Sequence, residues 1–286
     1  MNLILEQYWF RRVTQAMRTV LSLWGALFAV SFAAAATLAS TAEKLPKPPD
    51  ANGHIFSNNK RKPEKVAAAR VAVGEVRVKL PAERLRRLPK TIEKLKSGEP
   101  LRIVMLGDSI INDTARSQWH ELLKDHYPRA NVVRIVSVRG STGCNHYKAP
   151  GKIDAYVVQC RPDLVIIGGI SQHADVDSIR ECIQQIRDAG CQAELMLMTG
   201  PFGSADPYSG TDWRDKIGDG NNTDYAIKLK ALADDVNAEY FDLQMAWGDA
   251  LRASGKPLAF FKRDPVHANT NGEAILALIL EQYFKP

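Results

Sequence analysis

The residues of this chain with the types and spacing for covalent chemistry are one serine in its first half and an aspartate and a histidine near its end. Ser109 follows the apolar run "LRIVML", while Asp264 and His267 stand three residues apart in "RDPVHANTNGEA". This spacing lets a carboxylate hold one imidazole nitrogen and leaves the other nitrogen for a serine hydroxyl. The three residues together predict acyl transfer.

The two residues before the serine have structural interpretations. Gly107 gives a tight turn the freedom to expose Ser109, since glycine accepts backbone conformations that other residues avoid. Asp108 is predicted to hold this turn together through backbone amides, because a second acid beside a nucleophile has no obvious catalytic role.

The elements that must position these residues alternate between short apolar runs and helical periodicity. Five strands are predicted, at 101–106, 131–138, 163–169, 193–199 and 240–243, and the longer helices at 81–98, 175–190, 224–239 and 270–284. This order predicts an α/β fold, a three-layer flavodoxin-like sandwich with a central parallel sheet of about five strands and helices on both faces. Ligands of such folds bind beyond the carboxyl ends of the strands, where Ser109 stands.

The chain is predicted to have three parts, of which the first directs it out of the cytoplasm. Residues 1–42 carry three arginines and then about twenty residues without a charge, which is typical of a signal peptide or a membrane anchor. Residues 43–99 are predicted to be a basic linker and N-terminal extension, and residues 100–286 the catalytic domain. We therefore expect a periplasmic or secreted protein, or one anchored in the membrane by its N-terminal segment.

Charge is unevenly distributed along the chain. Residues 60–99 hold thirteen Lys or Arg against five Asp or Glu, whereas residues 100–286 hold twenty against twenty-four. The basic stretch is either a solvated spacer or a surface that associates with a membrane or an anionic cell-envelope polymer. No aromatic residues are interleaved in this stretch, which argues against nucleic-acid binding.

The cysteines do not form a metal-binding pattern. Cys144, Cys160, Cys182 and Cys191 include no CxxC pair and no Cys/His zinc spacing, so neither a metal nor a cofactor is predicted. If the protein is exported, the pairs closest in sequence are Cys144 with Cys160 and Cys182 with Cys191. Buried free thiols are the alternative.

From about residue 100 to residue 284, the sequence resembles the SGNH hydrolase superfamily, the GDSL esterases and lipases. The first block of the family matches at Gly107–Ser109, with Ile110 in place of the usual leucine, and the last block matches at Asp264–His267. The resemblance implies that Ser109 is the nucleophile, His267 the general base and then acid, and Asp264 the carboxylate that orients the histidine.

The resemblance also implies an oxyanion hole, and here the chain departs from the family. The Ser109 and Gly140 amides are the expected donors, with Gly143 as an alternative to Gly140. The third block of the family supplies an asparagine, but Ser171 stands at that position, so its hydroxyl or the Gln172 amide is the candidate replacement. The departure leaves open a weakened esterase, an altered acyl specificity or an inactive binding module.

The resemblance implies hydrolysis of a short-chain acyl ester, with acetyl favoured, on a carbohydrate. The long segment 200–222 holds three aromatic residues that form a sugar-stacking wall, a lid or a plain packed loop, and we expect Trp213 of this segment and His173 to contact substrate. The alternatives are an O-acetyltransferase that acts on a cell-envelope polysaccharide and a non-catalytic carbohydrate-binding module.

Overall fold

The structure is a computed structural model that describes residues 54–55, 62–218 and 220–286. The strands of this part are β1 (His54–Ile55), β2 (Pro100–Gly107), β3 (Asn131–Arg139), β4 (Leu164–Ile167), β5 (Glu194–Met198) and β6 (Glu239–Phe241). Its longer helices are α1 (Pro63–Val73), α2 (Pro89–Ser97), α3 (Ser109–Arg116), α7 (Val176–Asp188), α8 (Thr223–Asp235), α9 (Leu243–Ser254) and α10 (Thr270–Phe284). The short helices are α4 (Trp119–Leu122), α5 (Cys144–Tyr147) and α6 (Lys152–Tyr156), with 3-10 turns at Leu123–Asp125, Val158–Cys160 and Leu258–Phe260.

The strands form one sheet in the order β1-β3-β2-β4-β5-β6. Strands β2 to β6 are mutually parallel, whereas β1 pairs antiparallel with β3. This confirms the predicted parallel sheet of five strands and adds the short strand β1, which was not predicted. Because β2 lies between β3 and β4, the loops that follow all three strands emerge side by side at the carboxyl edge, where strand order reverses.

Two layers of apolar side chains cover the two faces of the sheet. Along β2, Ile103 and Met105 belong to one layer and Val104 and Leu106 to the other, as the alternation of side chains along a strand requires. Helices α1, α3, α9 and α10 contribute to the first layer, and α5 to α8 to the second. Strands buried on both faces explain why the sequence shows continuous apolar runs.

The segment predicted to be a basic linker and extension is packed against the domain from residue 62 onward. Ala69 and Val73 of α1 belong to the same buried cluster as residues of α10. Arg84 donates to the backbone carbonyls of Tyr283 and Lys285. Parts of residues 62–99 thus pack against the domain, while the rest of 43–61, apart from β1, lies outside the described residues.

The helix predicted from residue 81 begins later, at Pro89. Leu85 has a φ of +68°, which no α-helix accommodates, and Pro89 occupies the first turn, where its missing N–H costs no hydrogen bond. Among the described residues, none of the helices has the length and apolar composition needed to cross a bilayer. The predicted signal or anchor at 1–42 lies outside the described residues.

Candidate active site

Ser109 is placed at the carboxyl edge by the turn that joins β2 to α3. A side chain at Gly107 would come within 2.4 Å of the Gly168 carbonyl oxygen, so the two strands approach too closely there for any other residue. The Asp108 carboxylate caps α3 by accepting hydrogen bonds from the Ile110 and Ile111 amides. Ser109 is therefore the first residue of a capped helix, with its side chain half-buried at the sheet edge.

The loop before α10 brings Asp264 and His267 to that serine. His267 Nε2 lies 2.9 Å from Ser109 Oγ, and His267 Nδ1 lies 3.0 Å from each carboxylate oxygen of Asp264. When Nδ1 carries the proton that is donated to Asp264, the lone pair of Nε2 faces the serine hydroxyl, as a general base requires. The structure thus connects Ser109, His267 and Asp264 through hydrogen bonds, although Ser109 and His267 are 158 residues apart in the sequence.

The Asp264 carboxylate is held in its charged form. Its Oδ1 accepts hydrogen bonds from the Val266 and His267 amides, both at 2.8 Å, as well as from the imidazole. Desolvation tends to raise the pKa of this carboxyl, but these hydrogen bonds and the His267 charge outweigh it and lower the pKa to about 2. Asp264 is therefore an anion at all physiological pH values and keeps the imidazole in one orientation.

Asp108 ties the loop after β4 to the same turn, as its structural interpretation predicted. Its Oδ2 accepts hydrogen bonds from the Ile170 and Ser171 amides, both at 2.7 Å. Gly169 lies so close to this carboxylate that a side chain there would meet it at 2.4 Å. Burial raises the pKa of Asp108, while its backbone donors and the Ser171 hydroxyl act in the opposite direction.

The candidate oxyanion donors lie on three neighbouring loops. Gly140 follows β3, whose Val138 pairs with Gly107, and the Gly140 backbone is exposed with nothing near its Cα in the direction of a side chain. Gly143 is buried against the Ser171 carbonyl oxygen, which a side chain at Gly143 would meet at 2.2 Å. Gly143 therefore serves the packing of the loop after β3 against the loop after β4. Of the two glycines, Gly140 has the more accessible amide.

Of the two candidates for the missing asparagine, Gln172 has its side chain engaged elsewhere. Gln172 is buried, its Oε1 accepts a hydrogen bond from the Cys144 amide at 2.9 Å, and its Nε2 donates to the Gly168 carbonyl at 3.0 Å. The Gln172 side chain is therefore not available as the oxyanion donor, because its oxygen and its nitrogen both bind backbone groups inside the fold. Ser171 is half-buried, and its backbone amide donates to Asp108.

The two predicted substrate contacts have different surroundings. His173 is exposed on the loop after β4, with a φ of +50°, and Gly220 of the long segment lies against its backbone. Trp213 is buried, its ring packs edge-on against Trp247 at 6.2 Å between centroids, and it fills the space over Gly248. The prediction that Trp213 contacts substrate is wrong, because this ring is part of the core.

The segment 200–222 is a packed loop whose polar anchors are buried. Arg214 donates from Nε to the Gln244 side chain at 2.7 Å and from Nη1 to Asp242 at 2.8 Å. Asn221 donates to the Gly200 carbonyl, which closes the segment on itself. Of the interpretations left open, the packed surface loop fits this geometry.

Among the described residues, no group of three or more His, Cys, Asp or Glu side chains is arranged to hold a metal ion. All four cysteines are free thiols. Cys182 Sγ lies 3.5 Å from the Cys144 carbonyl oxygen, so tertiary packing brings together members of the two different pairs that were suggested from sequence distance.

Sequence reasoning missed two charged residues beside the triad. Asp113 is fully buried on α3, one helical turn after Ser109, and Arg263 precedes Asp264. Arg263 Nη1 donates to Asp113 Oδ1 at 3.0 Å. The four-residue spacing from Ser109 to Asp113 places both on one helix face, and this was the available signal.

Comparison with known proteins identifies the group to which this geometry belongs. Residues 105–275 match the model of the GDSL-like Lipase/Acylhydrolase family. No curated protein sequence matches the chain.

Solved structures with a similar fold include two carbohydrate esterases. One is a two-domain esterase (CEX) active on acetylated mannans, with a TM-score of 0.54 and 19% identity over 70% of this chain and 52% of that one. The chain therefore spans about half the length of that esterase. Another is a catalytic mutant of Axe2, an acetylxylan esterase from Geobacillus stearothermophilus, with a TM-score of 0.51 and 17% identity over 64% of this chain and 94% of that one. At these identities the similarity is one of fold.

Proposed function

Because this chain belongs to the GDSL-like lipase/acylhydrolase family and is a carboxylic ester hydrolase, we propose that it removes acetyl groups from a carbohydrate through a triad of Ser109, His267 and Asp264. The observation that carries the proposal is the continuous line of hydrogen bonds from the Asp264 carboxylate through the imidazole to Ser109 Oγ. It lies at the carboxyl edge of the sheet, where the half-buried serine is accessible to an ester.

The proposed reaction proceeds through an acyl-enzyme. His267 Nε2 takes the proton of Ser109 as Oγ attacks the ester carbonyl, and Asp264 stabilises the imidazolium that forms. The imidazolium then gives its proton to the departing sugar hydroxyl, which leaves an acetyl group on Ser109. Water loses a proton to His267, attacks the acetyl-serine and releases acetate and the free serine.

The negative charge that develops on the carbonyl oxygen needs hydrogen-bond donors. The Ser109 and Gly140 amides are the proposed backbone donors, and Ser171 is the proposed replacement for the asparagine of the family. In the structure the Ser171 amide donates to Asp108, and this role requires the Ser171 hydroxyl to point toward the substrate. Gln172 contributes indirectly, by holding the loops after β3 and β4 together.

The carbohydrate part of the proposal is supported by the chemistry of the similar proteins. The two-domain esterase acts on acetylated mannans and Axe2 is an acetylxylan esterase, and both share the fold. Exposed His173 borders the loop that carries Ser171 and is the proposed contact for the sugar. Trp213 has no part in this contact, since it is buried.

We further propose that the protein is exported and that its basic extension faces an anionic cell-envelope surface. The support is the arginine-flanked apolar run within residues 1–42 and the excess of Lys and Arg in residues 60–99, among them the exposed Arg86, Lys90 and Lys96. Cell fractionation and N-terminal sequencing test export: a mature chain beginning near Glu43 outside the cytoplasm is expected, and an intact soluble cytoplasmic chain would contradict it.

The experiment that tests the catalytic proposal is an acetate-release screen over acetylated mannan, xylan and peptidoglycan. The wild type is compared with Ser109→Ala and with Ser204→Ala, which changes an exposed serine of the long loop. Release by the wild type and the control, but not by Ser109→Ala, is expected. Acetyl transfer to an added sugar that outpaces release would indicate an O-acetyltransferase, and glycan binding without any release would indicate a non-catalytic module.

A further inference from the structure

A second group of charged side chains lies directly behind the triad. Asp113 of α3 is fully buried. Its Oδ2 accepts a hydrogen bond from the Ala268 amide at 3.0 Å, and its Oδ1 accepts one from Arg263 Nη1 at 3.0 Å. Both donors belong to the loop that carries Asp264 and His267, so this carboxylate connects the helix of the nucleophile with the loop of the base.

Arg263 contacts several parts of that loop at once. Its Nη1 also donates to the Ala268 carbonyl at 2.5 Å, and its Nε lies 3.5 Å from Asp264 Oδ2. The Arg263 amide donates to the His267 carbonyl at 3.0 Å. One guanidinium therefore bridges the buried carboxylate of Asp113 and the carboxylate of the triad, while the backbone of the same residue closes the loop.

The charges of this group compensate one another. A carboxylate as deeply buried as Asp113 is strongly unfavourable unless a cation and hydrogen bonds accompany it. Arg116 of the same helix lies 4.0 Å from Asp113 and 3.5 Å from Glu273, which is buried on α10. Arg263 is the cation with the shorter contact to Asp113, and its side chain is 35% exposed.

The group bears on catalysis because its members lie next to Ser109 and His267. Ser109 and Asp113 stand one turn apart on the same face of α3. Ala268, which Asp113 holds, is the residue after His267. A carboxylate that fixes Ala268 to α3 therefore also fixes the distance between the imidazole and the serine hydroxyl.

From this arrangement we propose that Asp113 and Arg263 form a positioning pair, which holds the His267 loop on the nucleophile helix and supplies a second negative charge that favours the imidazolium formed during acyl transfer. The inference rests on the proposed function and goes beyond it, because neither residue belongs to the triad or to the oxyanion hole. Neither side chain has to touch substrate for this role.

The electrostatic part of the proposal predicts the direction of a pH effect. Burial raises the pKa of Asp113, the charge and hydrogen bond of Arg263 oppose this rise, Glu273 adds to it and His267 opposes it. The groups that face this carboxylate are Arg116 on its own helix, Arg263 and His267 on the loop, and Glu273 on α10. The His267 ring is in turn faced by Ser109 and Asp264, and its charge interacts with that of Asp113. Removing the negative charge of Asp113 makes protonation of the imidazole less favourable.

The test compares Asp113→Asn, Arg263→Met and Arg263→Lys with Asp242→Asn as a matched control. Asp242 forms an ion pair of 2.8 Å with buried Arg214 in the anchor of segment 200–222, so its variant loses a similar interaction away from the triad. The measurements are kcat and KM for an aryl acetate across pH, and the titration of the His267 ring by NMR, which reports on the pair even without turnover.

For Asp113→Asn we expect the acidic limb of kcat/KM and the midpoint of the His267 titration to move to lower pH. We expect kcat to fall about 10- to 100-fold with little change in KM, because a misplaced base affects the transition state more than substrate binding. Arg263→Met is expected to lower kcat at least as much, and Arg263→Lys to recover part of it, since lysine supplies the charge without the two-pronged geometry. The control is expected to shift neither limb nor midpoint.

The possible outcomes distinguish failure of the positioning pair from failure of the proposed esterase reaction. An unchanged acidic limb and titration midpoint in Asp113→Asn, with no larger loss of kcat than in the control, would overturn the proposal and leave the pair a purely structural role. If Asp113→Asn fails to fold, the same comparison is decided by Arg263→Lys against Arg263→Met, where equal kcat values would overturn it. A wild type without esterase turnover contradicts the proposed function, while the NMR titration still decides whether the pair acts on His267.

Discussion

Two buried carboxylates, at the N-cap and one turn into the nucleophile helix, are stabilised in different ways. Asp108 accepts hydrogen bonds from the backbone amides of Ile110, Ile111, Ile170 and Ser171. Asp113 accepts one from a backbone amide and one from the side chain of Arg263. The first carboxylate depends on the main chain and the second depends on a partner that a single substitution removes.

This difference separates the two halves of the site. The half that holds the oxyanion loops is built around Asp108, so its geometry follows from the turn after β2 and the turn after β4. The half that holds the base is built around an ion pair between residues 150 positions apart in the sequence. We therefore expect the oxyanion half to be rigid and the base half to be the one that substitutions adjust.

The largest expected effect is the loss of the residues where the two halves meet. Ser109→Ala and His267→Ala leave the hydrogen bonds of both buried carboxylates in place, yet each is expected to lower kcat by about 10⁴-fold or more. The double variant should lose little more than either single one, because the two residues act as a unit. Turnover of an aryl acetate is measured beside thermal melting, and near-normal rates in either variant would exclude the triad.

A smaller loss is expected on the oxyanion side. Ser171→Ala keeps the amide on Asp108 but removes the hydroxyl, so kcat should fall on the order of 100-fold with KM nearly unchanged. Ser171→Asn, which restores the donor of the family, should preserve or raise the rate. If Ser171→Ala equals the wild type in steady-state kinetics, backbone amides alone stabilise the oxyanion.

Gln172→Ala should lower the free energy of unfolding by about 1 to 3 kcal/mol because it leaves the buried Cys144 amide unpaired.

The comparison between the two carboxylates is tested directly by stability measurements. Asp108→Asn turns an NH2 group toward two backbone amides that cannot rotate away, and we expect a loss of about 2 to 3 kcal/mol in the free energy of unfolding. Asp113→Asn should cost less, since the partly exposed Arg263 side chain can turn toward water. Urea unfolding of both variants at pH 7 measures the difference. Equal losses would show that main-chain and side-chain donors are equivalent here.

The smallest expected effect is a pH dependence of stability that arises from Asp264. Its pKa is lowered to about 2 in the folded protein from an ordinary value of 3.8. A carboxyl with a depressed folded pKa stabilises the fold above its unfolded pKa, and this contribution is lost as pH falls from about 4 through about 2. Wild type should therefore lose more stability than Asp264→Asn across this window. Urea midpoints measured at pH 6, 4 and 2.5 that fall in parallel for both proteins would contradict this sign.

Much of the fold was predictable because its signals are local. The runs "LRIVML" and "DLVIIGG" are apolar throughout, and only strands buried on both faces require this, so β2 and β4 were found within a few residues. The helix of residues 63–73 was missed because its short, Ala-rich sequence carries a weak amphipathic signal and its helical state depends on packing against α10. Strand β1 has two residues, too few for any periodicity.

The candidate site was predictable to a similar degree. Ser109, Asp264 and His267 were identified because a nucleophile needs a base, and a base needs an orienting acid a short distance away in the chain. Trp213 was misassigned because exposure in a loop cannot be judged from the sequence of the loop. The partner that covers this ring, Gly248 of α9, is 35 residues further along the chain.

What the sequence determined by itself is therefore the order of strands and helices, the turn that exposes Ser109, and the spacing of Asp264 and His267, because each depends on residues a few positions apart. What only the tertiary structure decided is which polar groups are already engaged. Gln172 bonds to Cys144, 28 residues earlier in the chain, and Asp113 bonds to Arg263, 150 residues later. Their hydrogen bonds follow from strand order and helix packing, which place distant residues within 3 Å, and no local pattern of residue types encodes those contacts.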